Sequence, residues 1–339
     1  MVDGVGEFDA QGAGHGVILR GEVGNWQDLT PGSEACGDAL VVEPLLDNIA
    51  LAGRLVSRTG SAAQRAALLP GLVDGSHTLA FASLEPGCRY SLAPSKTTAL
   101  AQGSGWVLDG DKCVVIGAAT AHRLIVSART GGAAAAAGGV SLFVVDPQAP
   151  GVTLNPSRTV DGQRAADVKL VGVVLGADAL LGTPETLGQA LPHIEEATDF
   201  ATALLCADAI GAMKSANDAT LDYMKQRKQF GVPIASFQVL QHRMVEMVIT
   251  TEQARSMAIL AATKVDAGGD ATERAKAVSA AKIKTGDAAR LVSQESVQLH
   301  GGMGMTEELK VSHTFSRLTM AAQRFGDVDH HLARYALLG

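Results

Sequence analysis

The chain is short of large rings: 2 Trp, 3 Tyr and 8 Phe among 339 residues. Its core must therefore be aliphatic, and 38 glycines with abundant alanine suit helices that pack on small-residue faces. Cysteine is scarce as well. Cys36, Cys88, Cys113 and Cys206 show no CxxC spacing, which excludes a disulfide framework or a zinc ribbon and reads as small buried hydrophobes in a reducing compartment. Charged residues make up 19% and hydrophobic ones 47%, which excludes a disordered chain. There is no basic block, and the net charge of −7 excludes a nucleic-acid-binding face. The longest apolar stretch runs only from Phe200 to Met213 and holds Asp208, too short and too polar to span a bilayer. No basic-then-apolar leader opens the sequence, so a cytoplasmic protein without a membrane anchor is expected.

Three textures follow one another. Residues 1–76 begin loop-like, with Gly4, Gly6, Gly12, Gly14 and Gly16. A helical pattern then spans Gly37 to Thr59, and Ser61 reads as the N-cap of a helix from Ala62 that Pro70 stops. In residues 77–190 the period shifts toward two. Thr78–Ser83, Trp106–Leu108, Cys113–Ile116, Arg123–Ala128, Val140–Val145 and Val168–Val174 read as short strands of a small antiparallel barrel or sandwich. Asp109-Gly110 is a hairpin signal, and the tract Gly131–Gly139, with five alanines, reads as a flexible hairpin tip. Residues 191–339 are helical: Thr198–Gln226, Ser236–Ala267, Thr272–His300 and Val328–Leu338, with short breaks at Gly231-Val232-Pro233 and Gly268-Gly269-Asp270. That pattern predicts a four-helix bundle. The fold class is thus α+β, mostly α: a short N-terminal helical domain, a central β domain and a C-terminal bundle.

Two segments carry chemistry. Arg227 to Gln238 ends one long helix and opens the next. Arg227 and Phe230, three apart, are expected on one helix face, offering a guanidinium to a phosphate and a ring to a flat base. A solvated arginine beside a core phenylalanine is the plain alternative. Gln298 to Gly304 ends another helix with three glycines in four positions, freeing backbone N–H groups for a pyrophosphate, or simply capping the helix. It is not a GxGxxG fingerprint, and no βαβ unit surrounds it. Asp327, Asp329, His330 and His331 cluster in sequence, but adjacent histidines on a helix diverge by about 100°, so no metal site is expected. His122 and His242 read as structural, and Glu307-Glu308 as helix-start charge.

Together the two segments resemble the acyl-CoA dehydrogenase family, whose members carry RxxFGxPIxxFQ and QxxGGxG in this order and at this separation. Leu84-Glu85-Pro86-Gly87 and the run Gly105 to Lys112 are similar to the family's substrate-side region. The resemblance covers about Cys36 to Leu338. It implies the three-domain fold, with the first helices missing before Gly37. It also implies FAD at a subunit interface, the adenosine and pyrophosphate side held by Arg227, Phe230, Gln238, Gln298, Leu299, His300, Gly301 and Gly302 toward the flavin of a neighbouring subunit.

The flavin-ring side departs from the family. Leu84 replaces a threonine, Arg89-Tyr90-Ser91 replaces Gly-Ser-Asp, and Val114-Val115-Ile116 replaces an aromatic-Ile-Thr segment. The carboxylate that takes the substrate's α-proton is missing too. Its usual position falls on Phe325, before Gly326 and Asp327, and its less common position on Ala201. Glu195, Glu196, Asp199 and Asp327 are the nearest acids, and Asp199 is the fallback base.

The resemblance is strongest to the base-less subunit of α2β2 acyl-CoA dehydrogenases of actinobacterial steroid side-chain degradation. It implies a partner subunit that binds most of the acyl-CoA, one FAD per two chains, and reoxidation by an electron-transfer flavoprotein. Two alternatives stand beside it: a self-sufficient homotetramer using a displaced base, and a flavin-free structural or binding protein on the same fold.

Overall fold

The computed structural model describes residues 26–93, 96–133 and 136–339. The glycine-rich opening before Trp26 and the tip residues Ala134 and Ala135 lie outside the described residues. The chain forms two compact units. One comprises residues 43–158 and 163–197; the other comprises 29–42, 159–162 and 198–339.

The first unit is built on a seven-stranded sheet. A π-helical stretch, Leu46–Gly53, continues into α2 (Arg54–Thr59), and α3 (Ala62–Val73) follows. Ser61 caps α3 as expected: its Oγ accepts from Gln64 N, and Gln64 Oε1 accepts from Ser61 N. Pro70 does not stop this helix, which runs on to Val73 with the proline inside it, one turn from its end. The strands are β1 (Leu79–Ala82), β2 (Thr98–Gln102), β3 (Gly105–Ile116), β4 (Arg123–Arg129), β5 (Val140–Val145), β6 (Val152–Arg158) and β7 (Arg164–Leu175).

Their order is β1-β4-β2-β3-β7-β6, with β5 on the other edge of β4. The pairing is not wholly antiparallel, since β1 and β2 both run parallel to β4. Leu108, Leu124, Val126, Phe143, Val168 and Val173 form the core of this sheet, each buried. Asp109-Gly110 is not a hairpin turn. β3 runs straight through it with a register shift between Leu108 and Gly110, and the Asp109 carboxylate accepts from Gly172 N at 2.7 Å. The hairpin turn lies instead between Gln102 and Gly105. β2 and β6 escaped the sequence reading because both are largely exposed: β2 is short, and the alternation of β6 stops after Leu154 at Asn155-Pro156.

The second unit is helical: α1 (Trp26–Ala39), α4 (Leu191–Gln226, of which residues from 198 onward belong here), α5 (Gln238–Asp266), α6 (Ala271–His300), α7 (Lys310–Gln323) and α8 (Val328–Leu337). The pattern from Gly37 to Thr59 is therefore not one helix, because it breaks after Ala39. α7 was not foreseen. Ser236 does not cap α5; Phe237 occupies the cap position, and the Ser236 hydroxyl donates to Pro233 O. Asp270 does cap α6, accepting from Thr272 N.

α1 and α4 meet at two glycines. A Cβ on Gly37 would strike the Asp208 carbonyl, and one on Gly211 the Glu34 carbonyl. That contact gives the small-residue composition a structural use. Asp208, the one acid in the apolar stretch, is bonded by Arg317 through two nitrogens at 2.6 and 2.9 Å. The same guanidinium reaches Asp161 at 3.3 Å. A charge inside an apolar helix thus marks a buried, fully hydrogen-bonded pair. Of the four cysteines only Cys206 is buried; Cys36, Cys88 and Cys113 are partly exposed.

Candidate functional site

α4 ends at Gln226, so Arg227 and Phe230 do not share a helix face. Lys228–Gln229 and Val232–Pro233 pair as a two-residue-loop hairpin whose tip is Phe230-Gly231. Phe230 has φ +54° and Gly231 φ +82°. Two successive positive φ values match the twist of a tight hairpin, and glycine accepts this where phenylalanine is strained. The hairpin pushes the Phe230 ring outward until it is 92% exposed, touched edge-on by Phe237 at 6.2 Å between centroids. Arg227 and Gln238, at the two ends of this connection, are exposed as well.

Replacing Phe230 with asparagine relieves the left-handed strain and removes little buried surface. The variant is expected to gain about 1 kcal/mol in urea unfolding. A loss of stability would mean that the ring packs in solution.

The second segment closes α6. Gln298 is exposed, while Leu299 and His300 are buried. His300 Nδ1 donates to Ser296 O at 2.7 Å, and its ring stacks on Tyr223 at 4.4 Å with a 27° tilt. Gly301, at φ +61°, turns the chain out of the helix. Gly301 and Gly302 are exposed, with nothing within 4 Å of where a Cβ would stand. The second unit therefore joins a guanidinium, an outward ring and an open backbone, a set suited to a nucleotide diphosphate.

The turn Gln323–Asp327 holds the position of the expected base. Phe325 sits there at φ +58°, with the Arg324 guanidinium carbon 4.7 Å from its ring centroid. Two buried side chains hold this turn by its carbonyls. Lys282 Nζ donates to Ala322 O at 3.0 Å and Gly326 O at 2.8 Å; His331 Nε2 donates to Phe325 O at 3.1 Å. His331 Nδ1 then accepts from the Ser279 hydroxyl at 3.3 Å. Burial lowers the Lys282 pKa to about 8. Burial, reinforced by the Lys282 charge, lowers that of His331 to about 3, so the imidazole is neutral.

Asp327 caps α8 by accepting from His330 N at 2.8 Å. Ala201 is fully buried in α4. The Asp199 carboxylate, only 1% exposed, is paired with Arg274 at 3.0 Å and Arg334 at 2.7 Å. Among the described residues no three or more His, Cys, Asp or Glu side chains are placed to hold a metal, and no helix is long and apolar enough to cross a membrane.

In the first unit, Glu85 is buried. Its oxygens accept from Lys96 N at 2.9 Å, Thr97 N at 2.8 Å and Lys112 Nζ at 3.2 Å. Val114 sits at φ +50° on a bulge of β3, its N–H donated to Asp167 at 2.9 Å. Val115 and Ile116 are buried, and Leu84 is half-buried. None of the four brings a side-chain hydrogen-bond donor.

Among the described residues five non-glycine positions take positive φ: Leu40, Arg89, Val114, Phe230 and Phe325. Four lie in the segments singled out from the sequence, and such strain collects where a fold serves a ligand. Tyr223 and Lys282 were not foreseen as parts of the site, and His331 was weighed only as a member of a metal cluster. Their only signal was a charged or polar residue at a helix position that turns out to face inward.

Comparison with known proteins gives the family. The model of the acyl-CoA dehydrogenase middle domain matches residues 80–172, and that of the acyl-CoA dehydrogenase C-terminal domain matches 191–329. Acyl-CoA dehydrogenase fadE12 of Mycobacterium bovis is 32% identical over 289 residues, 85% of this chain and 73% of that one. The Tcur3481–Tcur3483 steroid acyl-CoA dehydrogenase, solved as a variant, superposes with a TM-score of 0.82 at 29% identity, over 96% of this chain and 85% of that one. Butyryl-CoA dehydrogenase from Megasphaera elsdenii gives a TM-score of 0.85 at 25% identity, over 93% and 83%. The chain belongs to the acyl-CoA dehydrogenase family.

Proposed function

We propose that this chain is the base-less subunit of a heteromeric FAD-dependent acyl-CoA dehydrogenase, and that it completes the cofactor site of a partner subunit of the same family. The observation that carries the reading is the state of the two base positions and of the fallback acid. Phe325 has no proton acceptor, Ala201 is buried, and Asp199 is neutralised by two arginines. A general base must reach the proton it takes with a free lone pair, and none of these meets that demand.

The residues fit the cofactor on one side only. Arg227 suits the diphosphate, Phe230 stacks on a flat base, and the backbone of Gly301 and Gly302 offers donors. Gln238, Gln298, Leu299 and His300 border them. Val114, Val115, Ile116 and Leu84 offer aliphatic bulk where a flavin ring needs donors. When bound, FAD supplies the hydride acceptor. This chain's part is to grip the nucleotide end and exclude water there.

The partner in this reading supplies the base, the ring contacts and most of the acyl-CoA site, in an α2β2 assembly that passes electrons to an electron-transfer flavoprotein in the cytoplasm. The similarity to a steroid acyl-CoA dehydrogenase supports a steroid side-chain thioester as substrate.

Purified alone, the chain is expected to elute without flavin absorbance and to leave acyl-CoA unchanged. With a base-bearing subunit it should hold one FAD per two chains, and Arg227→Ala should strip that flavin. A yellow lone chain that turns over acyl-CoA would overturn the proposal.

A further inference from the structure

Tyr223 lies outside both motifs and His300 lies within the second, but His300 is buried and Tyr223 half-buried, so the two rings stand behind the exposed motif residues. Tyr223 lies in the last turn of α4, and its carbonyl accepts at 2.8 Å from the N–H of Arg227, the first residue past the helix end. Arg227 O in turn accepts from Ile234 N at 2.8 Å, which closes the hairpin that carries Phe230. His300 is the last residue of α6, directly before Gly301, whose N–H returns to Gln298 O. The two rings stack at 4.4 Å. His300 is 5% exposed and cannot swing, because Nδ1 is committed to Ser296 O.

We infer that Tyr223 and His300 are positioning residues: their stacked rings fasten the end of α4 to the end of α6 and so set the separation between the Arg227 guanidinium and the Gly301–Gly302 backbone. This rests on reading that surface as a dinucleotide half-site. The need is physical. Both helices end at this point, so each terminus has lost the hydrogen-bond ladder that stiffens a helix interior. Arg227, Phe230, Gly301 and Gly302 are all exposed, and of the four only Phe230 has a ring contact, edge-on with Phe237. A diphosphate spans the two segments only if their spacing is set beforehand, because ordering them on binding costs affinity. An aromatic stack contributes about 0.5–1.5 kcal/mol beyond its buried area, which converts to roughly a 2- to 13-fold change in an equilibrium. The pair acts through the backbone and touches no reacting atom.

The test compares Tyr223→Leu, which removes the stack, with Tyr223→Phe, which keeps a ring. Amide hydrogen exchange of the full chain without ligand is the first readout. In Tyr223→Leu the amides of Gly301 to Met305 should exchange about 2- to 13-fold faster, while the interiors of α4 and α6 stay protected and the unfolding midpoint barely moves. Tyr223→Phe should restore the wild-type rates. The second readout is FAD titration of the chain with its partner subunit, where Tyr223→Leu should weaken binding by a similar factor and Tyr223→Phe should not.

Unchanged exchange at Gly301 to Met305 in Tyr223→Leu would overturn the inference, as would a Tyr223→Phe variant as impaired as Tyr223→Leu. If Tyr223→Leu lowers global stability, His300→Phe supplies the second variant: it retains a ring and must keep exchange slow. Arg227→Ala separates the two ideas. If it leaves FAD bound, the half-site reading fails while the exchange result still decides the role of the stack.

Discussion

Glu85→Ala is expected to destabilise the sheet-bearing unit by about 3–5 kcal/mol at pH 7. Lys112 and Glu85 are paired with side chains 0% and 1% exposed, and burial already lowers the Lys112 pKa to about 8. Removing the carboxylate strands that ammonium and also unpairs the backbone N–H groups of Lys96 and Thr97. Two partners of Lys112 remain, Ser83 O at 3.1 Å and the Ser127 hydroxyl at 3.3 Å. Both serve a neutral amine as well as a cation, so the variant sheds the proton. The cost of shedding it falls as pH rises toward the ordinary lysine value, and the deficit at pH 9.5 should therefore be clearly smaller than at pH 7. Adding Lys112→Met should recover a large part of the loss, since an unpaired buried charge is the main cost. Urea unfolding at both pH values measures all of this. A single variant within 1 kcal/mol of wild type would show that water reaches Lys112.

Acidification is expected to weaken the helical unit through His331. Its folded pKa is about 3, against an ordinary value of 6.5. The unfolded chain therefore takes up a proton that the folded chain refuses. Stability from this group is complete above pH 6.5 and is lost as pH falls toward 3. Between pH 6.5 and pH 5 that amounts to about 2 kcal/mol. The groups facing the imidazole are Lys282 from α6 and His330 and Arg334 from its own helix, and each of these charges opposes its protonation.

His331→Gln keeps a donor for Phe325 O and an acceptor for Ser279 without titrating. It should cost about 1 kcal/mol at neutral pH and lose correspondingly less on acidification. Equal losses in both proteins between pH 7 and pH 5 would exclude His331 as the source. Lys282 acts at the other end of the scale and with the same sign of slope. Its folded pKa of about 8 lies below 10.5, so the unfolded chain holds the extra proton there and stability from this group rises with pH across that window.

These two networks bear on function because they support the altered part of the fold. The turn at Phe325 keeps a left-handed backbone and two buried donors although its side chain accepts no proton. The bulge at Val114 likewise keeps its positive φ and its bond to Asp167 around an aliphatic residue. A β-branched residue in that conformation is costly. At both places the backbone conformation is held by these bonds, independently of what the side chain can accept or donate.

Periodicity located most helices and strands, because amphipathic period is a local property. Ser61 was a legible cap for the same reason. The outcome differed wherever a distant partner decided. Gly110 read as a turn, but Gly172 across the sheet draws Asp109 into a continuous strand. Phe230 read as a helix-face neighbour of Arg227, but Gly231 and Pro233 made a hairpin that ejects its ring. Asp199 read as a fallback base until Arg274 and Arg334, from two other helices, closed on it.

The sequence alone determined most of the succession of helix and strand, since that depends on which residue types stand at short spacing, and it singled out the two motif segments and the non-acidic Phe325 and Ala201 as expectations. Only the tertiary structure decided which of those side chains stand in solvent and which are neutralised: Phe230 outward, Asp199 and Asp208 clamped by arginines, His300 fastened to Tyr223. Burial and ion pairing are set by residues tens or hundreds of positions away, and a local pattern carries no record of them.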